Sequence, residues 1–178
     1  MKRTRFLPSA VPQNWLGENG VGKTTLLTLL CGLKSAKTGS IDIDGYNPYD
    51  RKPSFLSEMF YLGDNPEAVH MKAIDYARNY GKFWEKFDLD KFTEVMSVFE
   101  NDIDIPMHKM SYGQLKKTFI SFALACNTKY LLMDEPTNGL DIPSKAQFRK
   151  AVTRYTREDS VILISTHQVR DIDKLLDH

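Results

Sequence analysis

Residues Gly17-Glu18-Asn19-Gly20-Val21-Gly22-Lys23-Thr24-Thr25 fill every fixed position of the phosphate-binding pattern G-x-x-x-x-G-K-[ST]. No other stretch constrains the fold as tightly, because this pattern works as a turn that enters a helix. Glycines permit turns that a side chain would block, so the backbone N–H groups of Asn19, Gly20, Val21 and Gly22 can face one anion. Lys23 is a mobile point charge suited to the β- and γ-phosphates, and the Thr24 hydroxyl suits Mg²⁺; Thr25 completes the set. Leu26, Leu27, Leu29 and Leu30 continue as an apolar helical face. The positive end of that helix is then expected under the phosphates.

A second stretch supplies what such a loop needs. Tyr130-Leu131-Leu132-Met133-Asp134-Glu135 is a short apolar run that ends in two carboxylates. A run this short with no polar alternation reads as a strand covered on both faces. Ligands of open α/β sheets bind at the carboxyl ends of such strands. Asp134 is therefore a candidate Mg²⁺ ligand, and Glu135 a candidate to polarise an attacking water.

With these motifs the chain resembles the ATP-binding subunits of ABC transporters, from about Leu16 onward. Met110-Ser111-Tyr112-Gly113-Gln114 is similar to the family signature L-S-G-G-Q, and Pro136-Thr137-Asn138-Gly139-Leu140-Asp141 to its D-loop. Ser165-Thr166-His167 resembles the segment carrying the family's switch histidine, and Tyr61-Leu62-Gly63-Asp64 falls where the family has its Q-loop. The resemblance implies an α/β fold: a P-loop NTPase core with a mainly parallel sheet and an inserted helical subdomain. It also implies Mg-ATP binding and hydrolysis, with Glu135 and His167 catalytic and Asp141 in the D-loop. Ser111, Gly113 and Gln114 would serve an ATP held by an opposing ATP-binding subunit, and a separate transmembrane subunit would form the pore.

The signature also has a physical reading. Ser111 and Gln114 fit a capping box ahead of an amphipathic run through Leu115, Phe119, Phe122 and Leu124. An ordinary capped helix and a second anion site both fit that pattern. Two residues depart from the family. Tyr112 puts a bulky ring where the family has glycine, and Asp64 stands where it usually has Gln or Glu. Asp64 fits a metal or water contact of shorter reach, with a turn acid beside Asn65-Pro66 as the alternative.

The 178 residues suit one domain, with 1–14 as an atypical lead and about 67–126 as the helical subdomain. Lys and Arg total 24 against 23 Asp and Glu, so no global field points to nucleic acid or to an anionic membrane. Cys31 and Cys126 sit among apolar neighbours in expected helices and read as small buried residues. Ser40–Gly45 alternates like an edge strand, Leu56–Leu62 reads as a core strand, Pro143 opens a helix to about Arg157, and Val161–Ile164 reads as a buried strand. Most rings among Tyr76, Tyr80, Phe83, Trp84, Phe87, Phe92 and Phe99 are expected in the core.

Both ends are expected to be shortened relative to the family. Val11-Pro12-Gln13-Asn14-Trp15-Leu16 is a poor central strand because of its proline, and Phe6 and Trp15 are weak adenine-stacking candidates. Three readings stay open. One is a cytoplasmic ATPase subunit held at the inner face of the membrane by its transmembrane partner. Another is a shortened copy with weak or no ATPase activity. The third is a soluble non-transport relative.

Overall fold

The computed structural model describes residues 22–167; the expectations for the lead 1–14, for Asn19, Gly20 and Val21, for Trp15 and Phe6, and for the last residues lie outside that span. The Leu-rich run forms helix α1 (Lys23–Leu30), entered through Gly22 at φ 91°, a left-handed turn that glycine adopts at no steric cost. Pro53 at the first helical position opens a one-turn helix α2 (Pro53–Leu56). The strand expected from Leu56 therefore starts later, as β1 (Met59–Leu62). Helices α3 (Ala73–Gly81), α4 (Leu89–Val98) and α5 (Tyr112–Ala125) form the expected helical region. The chain then returns through β2 (Tyr130–Asp134), α6 (Ile142–Tyr155) and β3 (Val161–Ser165).

The three strands are parallel, in the order β1-β2-β3. Met59 aligns with Tyr130 and Leu62 with Met133, while Tyr130 aligns with Val161 and Asp134 with Ser165. This register brings the ends of β2 and β3 level, so the residues that follow both strands emerge at one edge. Side-chain alternation along β2 divides the core. Leu131 and Met133 face a large cluster built on α3, α4, α5 and α6, whereas Leu132 packs with Leu27, Cys31, Phe55 and Met59 beneath α1. Both faces of β2 are thus covered, which explains why its sequence carries no polar alternation.

In the large cluster Phe122 of α5 is 1% exposed. Its ring lies 5.0 Å from Tyr76, 5.2 Å from Phe87, and 5.7 Å from both Phe60 and Trp84. Trp84 also donates its indole N–H to the Met59 carbonyl at 3.0 Å, tying the helical region to the first strand. Phe92 and Phe99 are fully buried, but Tyr80 and Phe83 are exposed. Those two rings come at the end of α3 and just past it, where the chain leaves the packed face.

One expected strand is missing among the described residues. Ser40–Gly45 contributes only an isolated bridge between Ile43 and Tyr46, closed by Asp44 and Gly45 at φ 52° and 80°. Its acids have other uses: Asp42 accepts the Gly45 N–H, and Asp44 binds Lys129 and the Tyr130 hydroxyl. The two cysteines cap the ends of α1 and α5 and are free, buried thiols.

Candidate active site

Gly22 to Thr25 and the ends of β2 and β3 enclose a cleft of about 440 Å³, also lined by Asp64, Asp134, Glu135, Asn138 and His167. Sequence reading named all of these except Asn138 as functional candidates, and the fold brings them together from segments more than 100 residues apart.

Helix α1 begins at Lys23, whose buried ammonium donates to the Thr166 carbonyl at 2.9 Å and lies 3.7 Å from Glu135 Oε1. Thr24 donates its hydroxyl to Asp134 Oδ2 at 2.5 Å. Asp134, 3% exposed, receives a second hydrogen bond from the Ser165 hydroxyl at Oδ1. The Tyr61 phenol of β1 lies near enough to feel the charge of the same carboxylate. Burial first, and then the charge of Asp134, push its pKa up to about 12, so it remains protonated. Ser165 did not stand out as a support for Asp134, because only the pairing of β2 with β3 sets the two opposite each other.

Glu135 follows the last residue of β2 with φ 47°, a left-handed conformation that costs a non-glycine residue about 1–2 kcal/mol. Several hydrogen bonds hold it there. Its N–H donates to the Ser165 carbonyl at 3.0 Å, and its carbonyl accepts from the Asn138 N–H at 3.1 Å and from the Lys116 ammonium at 2.6 Å. The turn aims the side chain back across the cleft. Oε2 is buried without a hydrogen bond among the described residues, and it lies 3.0 Å from Nδ1 of His167. An anionic oxygen with open acceptor capacity, beside an imidazole, can orient a water and take its proton.

The oxygen donors suit a hard divalent cation. The Thr24 hydroxyl and the Asp134 carboxylate converge at one point of the cleft, and Mg²⁺ prefers oxygen donors of this kind, few of them from protein. The neighbouring helix start, the Lys23 ammonium and the left-handed Gly22 suit the phosphates such an ion accompanies.

The expected capping box is present: Ser111 Oγ accepts from Gln114 N at 3.3 Å, and Gln114 Oε1 accepts from Ser111 N at 2.9 Å. Ser111, Gly113 and Gln114 do not line the first cleft. They border a second one of about 240 Å³ with Gly139, Leu140 and Asp141, and Asp141 caps α6 by accepting from Ser144 N at 2.9 Å. Tyr112 turns away from the opening of this second cleft. Its hydroxyl donates to the Asp64 carbonyl at 3.0 Å, and its ring lies across Gly139.

Lys116 escaped the sequence reading. It is fully buried, yet its position in α5 reads as an ordinary polar residue of an amphipathic helix. Its ammonium meets Asp64 Oδ1 at 2.9 Å as well as the Glu135 carbonyl.

The family whose sequence pattern matches residues 14–138 is described as ABC transporter. Among relatives, the energy-coupling factor transporter ATP-binding protein of Ligilactobacillus salivarius is 31% identical over 92% of this chain and 61% of its own length. The bacitracin transport ATP-binding protein of Bacillus licheniformis is 29% identical over 92% of this chain and 55% of its own. A solved ATP-binding subunit of an ABC transporter superposes with a TM-score of 0.78 at 21% identity, over 89% of this chain and 69% of that one. The chain thus spans little more than half the length of the two curated relatives it is compared with here.

Proposed function

The chain belongs to the ABC transporter family, and from that premise we propose that it binds and hydrolyses Mg-ATP as the ATPase subunit of a membrane transporter. The observation that carries the reading is the pairing at the end of β2: Asp134 meets the Thr24 hydroxyl of the phosphate-binding helix, while Glu135 faces the same cleft with an open carboxylate oxygen.

The division of labour follows from position. Gly22, Lys23, Thr24 and Thr25, continuing Asn19, Gly20 and Val21, hold the triphosphate. Thr24 and Asp134 would hold Mg²⁺, which when bound draws charge from the phosphate oxygens. Glu135 orients the water and accepts its proton, and His167 steadies that carboxylate at the mouth of the cleft. Lys23 leans on Glu135 Oε1 here and is the cation that would follow a phosphate.

Ser111, Gly113 and Gln114, with the D-loop residue Asp141, line a cleft separate from the phosphate cleft. That separation supports a role toward an ATP held by a second ATP-binding subunit. No helix among the described residues is long and apolar enough to cross a membrane, so in this reading a separate transmembrane subunit carries the substrate path. The exposed Tyr80 and Phe83 of the helical region are a surface such a subunit can cover.

Release of phosphate from Mg-ATP by the purified chain tests the proposal, with Glu135→Gln alongside. The amide keeps shape but accepts no proton, so turnover should fall about 10²–10⁴-fold while nucleotide binding persists. Equal turnover in parent and variant removes Glu135 from the chemistry, and no turnover in either removes the ATPase assignment.

A further inference from the structure

We propose that Lys116 is a positioning residue for Glu135 and that Asp64 is its countercharge, an inference that rests on the ATPase reading above. Lys116 is fully buried in the second turn of α5. An ammonium persists in such a place only when it is paired and its donors are used. All three N–H donors have acceptors: the Glu135 carbonyl at 2.6 Å, Asp64 Oδ1 at 2.9 Å and the Tyr112 hydroxyl at 3.4 Å. The shortest of these goes to the backbone of the residue proposed to activate water.

That backbone needs support. Glu135 sits at φ 47°, and strained conformations persist only where neighbouring groups over-determine them. The Asn138 N–H alone would leave the Glu135 carbonyl with one partner at 3.1 Å. Lys116 adds a charged donor to the same oxygen, so it favours the peptide orientation that sends the carboxylate across the cleft.

The same contacts explain both departures from the family pattern. The Tyr112 hydroxyl donates to the Asp64 carbonyl at 3.0 Å, the Lys116 ammonium lies 5.5 Å from the Tyr112 ring centre, and Asn138 Nδ2 reaches Asp64 Oδ1 at 3.4 Å. Tyr112 and Asp64 are thus two ends of one network centred on Lys116. The carboxylate of Asp64 neutralises a buried cation, and the loop after β1, the first turns of α5 and the turn after β2 are tied together.

Steady-state kinetics and thermal unfolding of the 178-residue chain test this, using Lys116→Met, Lys116→Gln, Lys116→Arg, Asp64→Asn and Asp64→Asn/Lys116→Met. Loss of positioning should lower kcat about 10- to 100-fold with little change in KM for ATP, and Lys116→Arg should recover part of it. In a Glu135→Gln background Lys116→Met should add little, because the group it positions is already gone. Lys116→Gln serves if the methionine variant does not fold. Without nucleotide, the double variant should unfold at a higher temperature than Lys116→Met alone, since the orphaned carboxylate has been removed with its partner. Parental kcat in Lys116→Met, or additive unfolding shifts in the cycle, would overturn the proposal. If the parent chain shows no turnover, the ATPase reading fails separately, and the unfolding cycle still decides whether Asp64 and Lys116 are a pair.

Discussion

Replacing Gly139 by alanine probes how the turn after β2 is held against the start of α5. Two costs can be separated. Gly139 has φ 76°, where alanine pays about 1–2 kcal/mol, offset by about 0.4–1 kcal/mol from the lower entropy of the unfolded chain. An added Cβ would also sit 2.6 Å from Tyr112 Cε1 and 2.9 Å from Cδ1, closer than any real contact. The backbone need not move to relieve this, because Tyr112 is 42% exposed and its ring can swing outward. Swinging breaks the hydroxyl bond to the Asp64 carbonyl, a loss of about 0.5–1.5 kcal/mol. The net expectation is about 0.5–3 kcal/mol, or a fall in melting temperature of roughly 1–12 °C at about 2–4 °C per kcal/mol for a chain of this size. Thermal and urea unfolding of Gly139→Ala, Tyr112→Ala and the double variant measure it. In the Tyr112→Ala background the steric part should vanish, leaving only the backbone part, so the two substitutions should couple by about 1 kcal/mol. If Gly139→Ala costs the same in both backgrounds, the ring does not lie on Gly139 and the account fails.

Lys23→Ala should weaken binding of a fluorescent ATP analogue by at least tenfold, since charge-assisted contacts are worth about 1.5–3 kcal/mol each; unchanged affinity would remove the Lys23 ammonium from the phosphate site. Burial raises the pKa of the thiols of Cys31 and Cys126, which keeps both protonated at neutral and mildly alkaline pH. Native protein at pH 8 should therefore react with a thiol reagent far more slowly than the same protein in denaturant, and rapid native labelling of both would contradict their burial.

Much of the site was legible because its chemistry is written in contiguous residues. Helix α1 follows from Gly22-Lys23-Thr24-Thr25 and the leucines behind it, and the capping box from Ser111 and Gln114 three residues apart. Strand β2 follows from an apolar run too short to be a helix. In each case the physical cause is local: a permitted φ, a side chain reaching back to a nearby N–H, or the shortness of an unbroken apolar run. One misreading was a local signal answered by something distant, and the other a local signal overruled by a near neighbour. Ser40–Gly45 alternates like a strand, but the partner it would need is absent among the described residues, and Asp44 is instead drawn to Lys129 and Tyr130. Leu56 looks like the start of a strand, yet Pro53 begins a helical turn that absorbs it.

What sequence alone offered is which groups could handle phosphate, metal and water: Lys23, Thr24, Asp134 and Glu135 are marked by residue type and spacing, and His167 by the family resemblance. What only the tertiary structure decided is how those groups are held. The parallel register sets Ser165 beside Asp134, and the same strand ends bring His167 to 3.0 Å from Glu135. Lys116 is the clearest case. In the chain it is one polar residue among others on a helix, and its charge acquires a role only when α5, the loop after β1 and the turn after β2 close around it. Burial then removes the water that would otherwise solvate the ammonium, so the acceptors that replace it, Asp64 and the Glu135 carbonyl, are selected by packing and cannot be read from spacing.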